Sequence, residues 1–211
     1  YKRKNITLFI MIIIDNYIKD EELLEKMQTD VDFGTAGFRW YDGWWKDGIQ
    51  NVRHELINQI WGPDSPHPPV RVRGFEHWIG DYNENSEVTE RFGMEWSLAP
   101  HFDRDEEYWY ENKKLIGPMI GTIYYPDPEI NEVEGGMLYI WEGMDNTKIT
   151  PDGYLIIPEE DPQIIKPKFN RLIIFDASAL HAVSRIRKGR RRAVAINLWD
   201  KPITGFDKIY G

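Results

Sequence analysis

The pattern of apolar and polar positions divides the chain into a short helical N-terminal part and a long run of strands. Ile6-Thr-Leu-Phe-Ile-Met-Ile-Ile-Ile14 is nearly continuous and apolar, yet far short of the ~20 residues that span a bilayer. Lys2-Arg3-Lys4 gives it the look of a signal-peptide core. The run passes straight into Asp15-Asn16 and a helical pattern, so residues 11–18 read as a buried β-branched strand. Met11 is a candidate natural start. Asp20 is placed to cap a helix through Glu21-Glu22-Leu23-Leu24-Glu25-Lys26-Met27, with acids in its first turn. Residues 34–48, rich in Gly and Trp, read as strand and loop. Ile49, Val52, Leu56, Ile57, Ile60 and Trp61 fall at helical spacing and predict a second helix. Gly62-Pro63 stops it, and a Pro-rich loop covers 63–69.

From residue 70 onward the pattern is strand-like. The predicted strands are 71–80, 93–103, 115–125, 136–142, 153–158, 171–176, 181–187 and 191–199. Turns separate them at Asp127-Pro128, Asp145-Asn146, Pro151-Asp152-Gly153, Pro167 and Lys188-Gly189. Short strands following a helical layer predict a mainly β fold. The expected core is a double-stranded β-helix, a cupin-like jelly roll, braced by the N-terminal helices. Neither a repeat nor a linker divides the chain, so 1–211 is expected to be one domain, with residues 1–69 supporting a core over 70–200.

Composition narrows the function. Aromatic residues make up 14%, which suits β-rich architecture. The absence of cysteine excludes disulfides, thiolate zinc sites, iron–sulfur clusters and cysteine nucleophiles. It also fits a reducing cytoplasm. A net charge of −9 argues against broad nucleic-acid binding. No membrane partner is expected.

The chemistry concentrates at His101-Phe102-Asp103, followed far downstream by His181 and then by Arg190, Arg191 and Arg192. Two imidazoles and a carboxylate make a non-haem Fe(II) facial triad, which leaves positions open for substrate and oxygen. Residues i and i+2 on a strand share a face, so His101 and Asp103 can reach one metal from one strand. The competing reading is a surface His and Asp in a turn after Pro100. Asp105 shares the parity of Asp103 and is an alternative ligand. On strand 191–199, Arg191, Ala193, Ala195, Asn197 and Trp199 share one face, small and polar enough to line a cavity. The other face, with Arg192, Val194, Ile196 and Leu198, suits packing. Arg191 is therefore expected inward as a carboxylate clamp, with Asn197 and Trp199 beside it. The remaining basic residues of 185–192 read as a solvated hairpin. His54 lacks the second histidine of a His-Glu-x-x-His zinc motif, since position 58 is Asn, and reads as structural. Gly135-Gly136 marks a close backbone approach at the start of a strand. The Trp40–Trp45 cluster reads as packing, with Trp44 and Trp45 as further candidates to line a substrate path.

His101-x-Asp103, Gly121-Thr-Ile-Tyr-Tyr125, Gly135-Gly-Met-Leu-Tyr-Ile-Trp141, Pro167-Lys-Phe-Asn-Arg-Leu-Ile-Ile-Phe175, His181-Ala-Val183 and Gly189-x-Arg191 occur in this order. That order resembles the 2-oxoglutarate- and Fe(II)-dependent dioxygenases, and among them the prolyl 4-hydroxylase-like branch. The resemblance covers roughly residues 70–200. It implies that His101, Asp103 and His181 hold Fe(II), and that 2-oxoglutarate chelates the iron through its keto and C1 carboxylate oxygens. Its far carboxylate would meet Arg191 and the hydroxyl of Tyr125; the other reading of Tyr125 is a core aromatic. It further implies hydroxylation of a C–H bond with O2, release of succinate and CO2, and ascorbate as a candidate reductant. Related halogenases carry a small residue in place of the carboxylate, so Asp103 favours hydroxylation. The implied substrate is a peptide or protein, with a small metabolite or nucleobase as the alternative. The alternative outside enzymes is a non-catalytic jelly-roll module binding sugar or protein. Loops 80–95, 104–114 and 142–153 are expected to shape the entrance.

Overall fold

The computed structural model describes residues 11–66, 71–142 and 161–206. Their elements run β1 (Ile12–Asp15), α1 (Glu21–Thr29), β2 (Arg39–Tyr41), α2 (Val52–Trp61), β3 (Gly74–Asn83), β4 (Thr89–Arg91), β5 (Met94–His101) and α3 (Glu106–Asn112). There follow β6 (Ile120–Tyr124), a 3-10 turn (Pro128–Glu132), β7 (Glu134–Gly135), β8 (Leu138–Trp141), β9 (Gln163–Ile165), β10 (Arg171–Asp176), β11 (Leu180–Ser184), β12 (Ile186–Lys188) and β13 (Arg190–Trp199).

Two antiparallel sheets form the body, one ordered β1-β10-β6-β13-β3-β2 and the other β4-β5-β11-β8-β9. The larger sheet is covered on both faces, which is why the middle of β10 (172–175) and β13 after its arginines (193–199, with Asn197) read as mostly apolar runs. Leu172, Ile174, Val194, Ile196 and Leu198 point toward α1 and α2, packing with Leu23, Met27, Leu56, Ile57 and Ile60. The alternate residues Ile173, Phe175 and Ala193 point the other way, against Leu138, Ile140 and Val183 of the smaller sheet. This is the jelly roll braced by helices that the sequence implied.

Local signals set the helix ends. The Asp20 carboxylate accepts from Leu23 N (3.1 Å) and Asn51 accepts from His54 N (3.0 Å). The second helix therefore begins at Val52, and Ile49 lies outside it, 47% exposed. Asn170, in the left-handed region at φ 55°, joins the N-terminal segment to the sheet. Its amide accepts from Ile18 N and donates to Ile18 O, both at 2.9 Å.

Several expectations need correction. The stretch 104–114, read as loop, contains α3, capped by Asp105. The strand expected over 115–125 begins only at Ile120, after Gly117-Pro118, where the proline has no N–H to give a ladder. The strand expected over 181–187 divides into β11 and β12, because β12 leaves the sheet to pair with β7. The short strands β4, β7 and β9 were not foreseen. The strand expected over 153–158 lies outside the described residues.

Candidate active site

The centre of the site lies where β5 and β11 pair, with His101 directly opposite His181. Regular alternation along β5 would not aim both Leu98 and His101 inward, since they are an odd number of residues apart. The register shifts between Trp96 and Leu98 and again between Leu98 and His101, each time adding a residue to β5. A bulge re-aims the side chains beyond it, and here it turns His101 toward the inter-sheet space. Asp103 lies past the end of the strand instead of on it. Phe102, 7% exposed, anchors the step between them. A Cβ on Gly117 would come within 2.7 Å of the Asp103 carbonyl oxygen, so only glycine allows that segment so close.

His101, Asp103 and His181 present ligand atoms that all lie within 4.8 Å of one another. The His101 and His181 rings each place Nδ1 against a backbone carbonyl, Ala99 O at 2.9 Å and Ala179 O at 3.0 Å. Those nitrogens must donate, so in the neutral ring Nε2 is the atom left to face the other two groups. The Nε2 atoms stand 3.7 and 3.6 Å from the two Asp103 carboxylate oxygens, too far for hydrogen bonds. Three possible ligand atoms thus converge without a hydrogen bond between them, an arrangement that a cation satisfies. One third of the His101 side chain is accessible (33%). The protein around its ring nonetheless pushes the imidazolium down to about 4, through burial first and the neighbouring His181 second. His101 is therefore neutral near pH 7, as a ligand must be.

These groups line a cavity of ≈ 490 Å³, its mouth included, together with Arg191, Ala193, Ala195 and Asn197 of β13. Exposure falls from 33% at His101 through 12% at Asp103 and 7% at His181. Arg191 is 2% exposed, so it lies deep and His101 lies toward the mouth. Arg191 Nε donates to Gly136 O and Nη2 donates to the Tyr125 hydroxyl, both at 3.1 Å. Gly136 at φ 64° fits here because a Cβ would press to 3.0 Å from Arg191 Cδ. The flanking arginines turn outward: Arg190 Nε donates to Asp81 (2.8 Å) and Arg192 Nε to Asp127 (2.6 Å). Asn197 Nδ2 donates to Asp103 Oδ2 at 3.1 Å.

The profile of the 2OG-Fe(II) oxygenase superfamily matches residues 89–199, more than half of the chain. The chain belongs to this superfamily. Such oxygenases are oxidoreductases that use Fe(II), 2-oxoglutarate and O2, and His101, Asp103 and His181 are the oxygenase's candidate iron site. Among solved structures, a 2OG-Fe(II) oxygenase family oxidoreductase from Burkholderia pseudomallei is 10% identical, with TM-score 0.53 over 94% of this chain and 87% of that one. A Pseudomonas putida prolyl-4-hydroxylase is 14% identical, with TM-score 0.49 over 91% and 93%. A Trichoplax adhaerens prolyl hydroxylase, in complex with a hypoxia inducible factor oxygen degradation domain peptide, is 15% identical, with TM-score 0.46 over 90% and 83%. No curated protein matches the chain in sequence. Among the described residues of the oxygenase, no helix is long and apolar enough to cross a membrane.

Other residues singled out in the sequence lie apart from the oxygenase cavity. Trp199 is 1% exposed at the end of β13, beyond the Asn197–Asp103 contact, and its indole N–H donates to Glu76 (3.2 Å). Tyr125 is fully buried behind Arg191 and does not line the cavity itself. Asp105 has both carboxylate oxygens engaged, by Tyr108 N (2.9 Å) and Thr204 N (2.7 Å), so it is a helix cap and not a ligand. Trp44 and Trp45 pack around Phe75 on the helical side of the larger sheet. His54 is buried there too, stacked on Tyr41 at 3.8 Å. Sequence reasoning passed over Trp78, Gly80 and Tyr82 of β3 and Phe175 of β10, which line the cavity. The parity used for β13 was the available signal: Trp78, Gly80 and Tyr82 share one face of their strand. The hairpin 80–95 is ordered as β3, β4 and β5, whereas most of 142–153 lies outside the described residues.

Proposed function

We propose that this oxygenase hydroxylates an unactivated C–H bond in the manner of the prolyl 4-hydroxylase-like enzymes, releasing succinate and CO2. The reading rests above all on the three converging ligand groups of His101, Asp103 and His181, with a buried arginine in the same cavity. In it, these three residues hold Fe(II), which with 2-oxoglutarate supplies an O2-dependent oxidation that no side chain here performs. The backbone carbonyls of Ala99 and Ala179 fix both imidazoles in the tautomer that presents Nε2 to the metal. Arg191 anchors the far carboxylate of the co-substrate. Gly136 O and the Tyr125 hydroxyl hold its guanidinium in place, so it is ready before the ligand arrives. Leu98, Leu138, Phe175 and Val183 keep water from the chelate. The substrate bond approaches from the His101 side, whereas Tyr82 pairs with Arg191 across β3 and β13 and lies at the co-substrate end.

The prolyl hydroxylase-like assignment draws on the order of motifs in the sequence, and the retained carboxylate of Asp103 favours hydroxylation over halogenation. We take the chain as a single catalytic domain, and its lack of cysteine suits the cytoplasm. Anaerobic addition of Fe(II) and 2-oxoglutarate should give the weak visible charge-transfer band of a keto-acid chelate, and His181→Ala should abolish it. An iron-loaded wild-type protein without that band would overturn the co-substrate assignment. Succinate release stimulated by proline-containing peptides, and not by small metabolites, would support the substrate class; the reverse would replace it.

A further inference from the structure

The two histidines of the candidate iron site are aimed by backbone carbonyls, but Asp103 is aimed differently. It lies beyond the end of β5, and its carboxylate can turn about its own bond. What holds it is Asn197, 3% exposed, whose Nδ2 donates to Oδ2 at 3.1 Å. An ionised carboxylate only accepts, so the amide nitrogen must be the atom that faces it. Asn197 belongs to β13 in the opposite sheet, flanked by Gly121 and Glu76 in register. The hydrogen bond therefore spans the cavity from one sheet to the other. A neutral amide also suits this place better than a lysine or arginine, because it steadies the carboxylate without cancelling the charge that attracts a metal.

We propose that Asn197 is a positioning residue that selects the ligating oxygen of Asp103. The proposal rests on the iron-site reading above. By donating to Oδ2, the amide takes up one of that oxygen's lone pairs and makes Oδ1 the better ligand. Bidentate binding by Asp103 would thereby be disfavoured, which would keep a coordination position open for the other ligands. In this reading the residue acts through Asp103 and not by ligating the metal.

The test is titration of the metal-free protein with Co(II), followed by calorimetry and by the visible spectrum of the bound ion. Asn197→Leu keeps much of the side-chain volume without the donor; Asn197→Ala, which adds no bulk, carries the test if leucine is not tolerated. Both variants are expected to bind Co(II) about 10–100-fold more weakly. Their Co(II) spectra should change with the coordination, while the metal-free proteins melt close to wild type. Wild-type affinity and an unchanged spectrum in either folded variant would overturn the proposal, as would a lowered melting temperature with metal binding intact. Failure of the wild type to bind Co(II), or binding by His181→Ala equal to wild type, would instead overturn the iron-site reading.

Discussion

Replacing Arg191 by Met probes the co-substrate assignment directly. The guanidinium carries five N–H donors. One goes to Gly136 O and one to the Tyr125 hydroxyl, which leaves enough to grip a carboxylate with two. Charge-assisted hydrogen bonds contribute about 1.5–3 kcal/mol each, a gross gain of roughly 3–6 kcal/mol. Displaced cavity water reduces this to about 2–5 kcal/mol, the range for truncating one member of a buried charge pair. At about 1.4 kcal/mol per tenfold, Arg191→Met should weaken 2-oxoglutarate binding by roughly 30- to 4,000-fold. Arg191→Lys keeps the charge without the fork and should fall between. The assay is anaerobic calorimetry on Mn(II)-loaded protein, with 2-oxobutyrate measured beside 2-oxoglutarate. The two share the keto-acid head, and 2-oxobutyrate lacks the far carboxylate. Wild type should prefer 2-oxoglutarate by about the factor above, and Arg191→Met should bind both within a few-fold of each other. A variant that still discriminated like wild type would show that the far carboxylate is held elsewhere.

Tyr125→Phe removes the acceptor of an Arg191 N–H, at about 1–3 kcal/mol; 2-oxoglutarate affinity should drop about tenfold in the same calorimetry, with Mn(II) affinity unchanged. Gly121→Ala would bring a Cβ to 2.6 Å from Phe175, whose ring stands edge-on to His181 at 5.4 Å. Overpacking of about 1–3 kcal/mol should lower the melting temperature, and an unchanged value would mean that the ring moves aside freely. Burial pushes His77 down to about 3 and His54 to about 4, below the usual ~6.5 of an unfolded chain. The unfolded state therefore binds more protons as pH falls below about 6.5, and by linkage each histidine costs about 2 kcal/mol of stability at pH 5. Urea unfolding of His77→Gln should show about 2 kcal/mol less loss than wild type between pH 7.5 and pH 5, and an equal loss would refute the assignment.

The legible parts of the site and fold are those that depend on one strand or one helix at a time. Asp20 and the run after it gave a helix because capping is local. Period two on β13 separated Arg191, Ala193, Ala195 and Asn197 from the aliphatic face that meets the helices. Period two failed at Trp199, because parity says which face a residue takes and not where along the strand a cavity stops. It also missed what makes β5 work. The added residues between Trp96 and His101 exist only relative to β11, the strand they bulge against. Asp105 had the right parity for a ligand, but one of its oxygens caps α3 at Tyr108 N and the other accepts from Thr204 N, a long-range partner that parity does not see.

Strand β13 ties these pieces together. Arg191 and Asn197 are six positions apart, about 20 Å along the backbone at roughly 3.3 Å per residue. On that face only the methyl groups of Ala193 and Ala195 stand between them, and both line the cavity. A ligand gripped by the arginine can therefore lie along the strand and extend toward the three donors. A leucine at either alanine would fill that path while leaving every donor and the arginine in place. Co-substrate binding would then fail with metal binding intact, the opposite of what Asn197→Leu should do. On the proposed roles of Arg191 and Asn197 the strand would carry two separable functions, and the pair of variants would tell them apart.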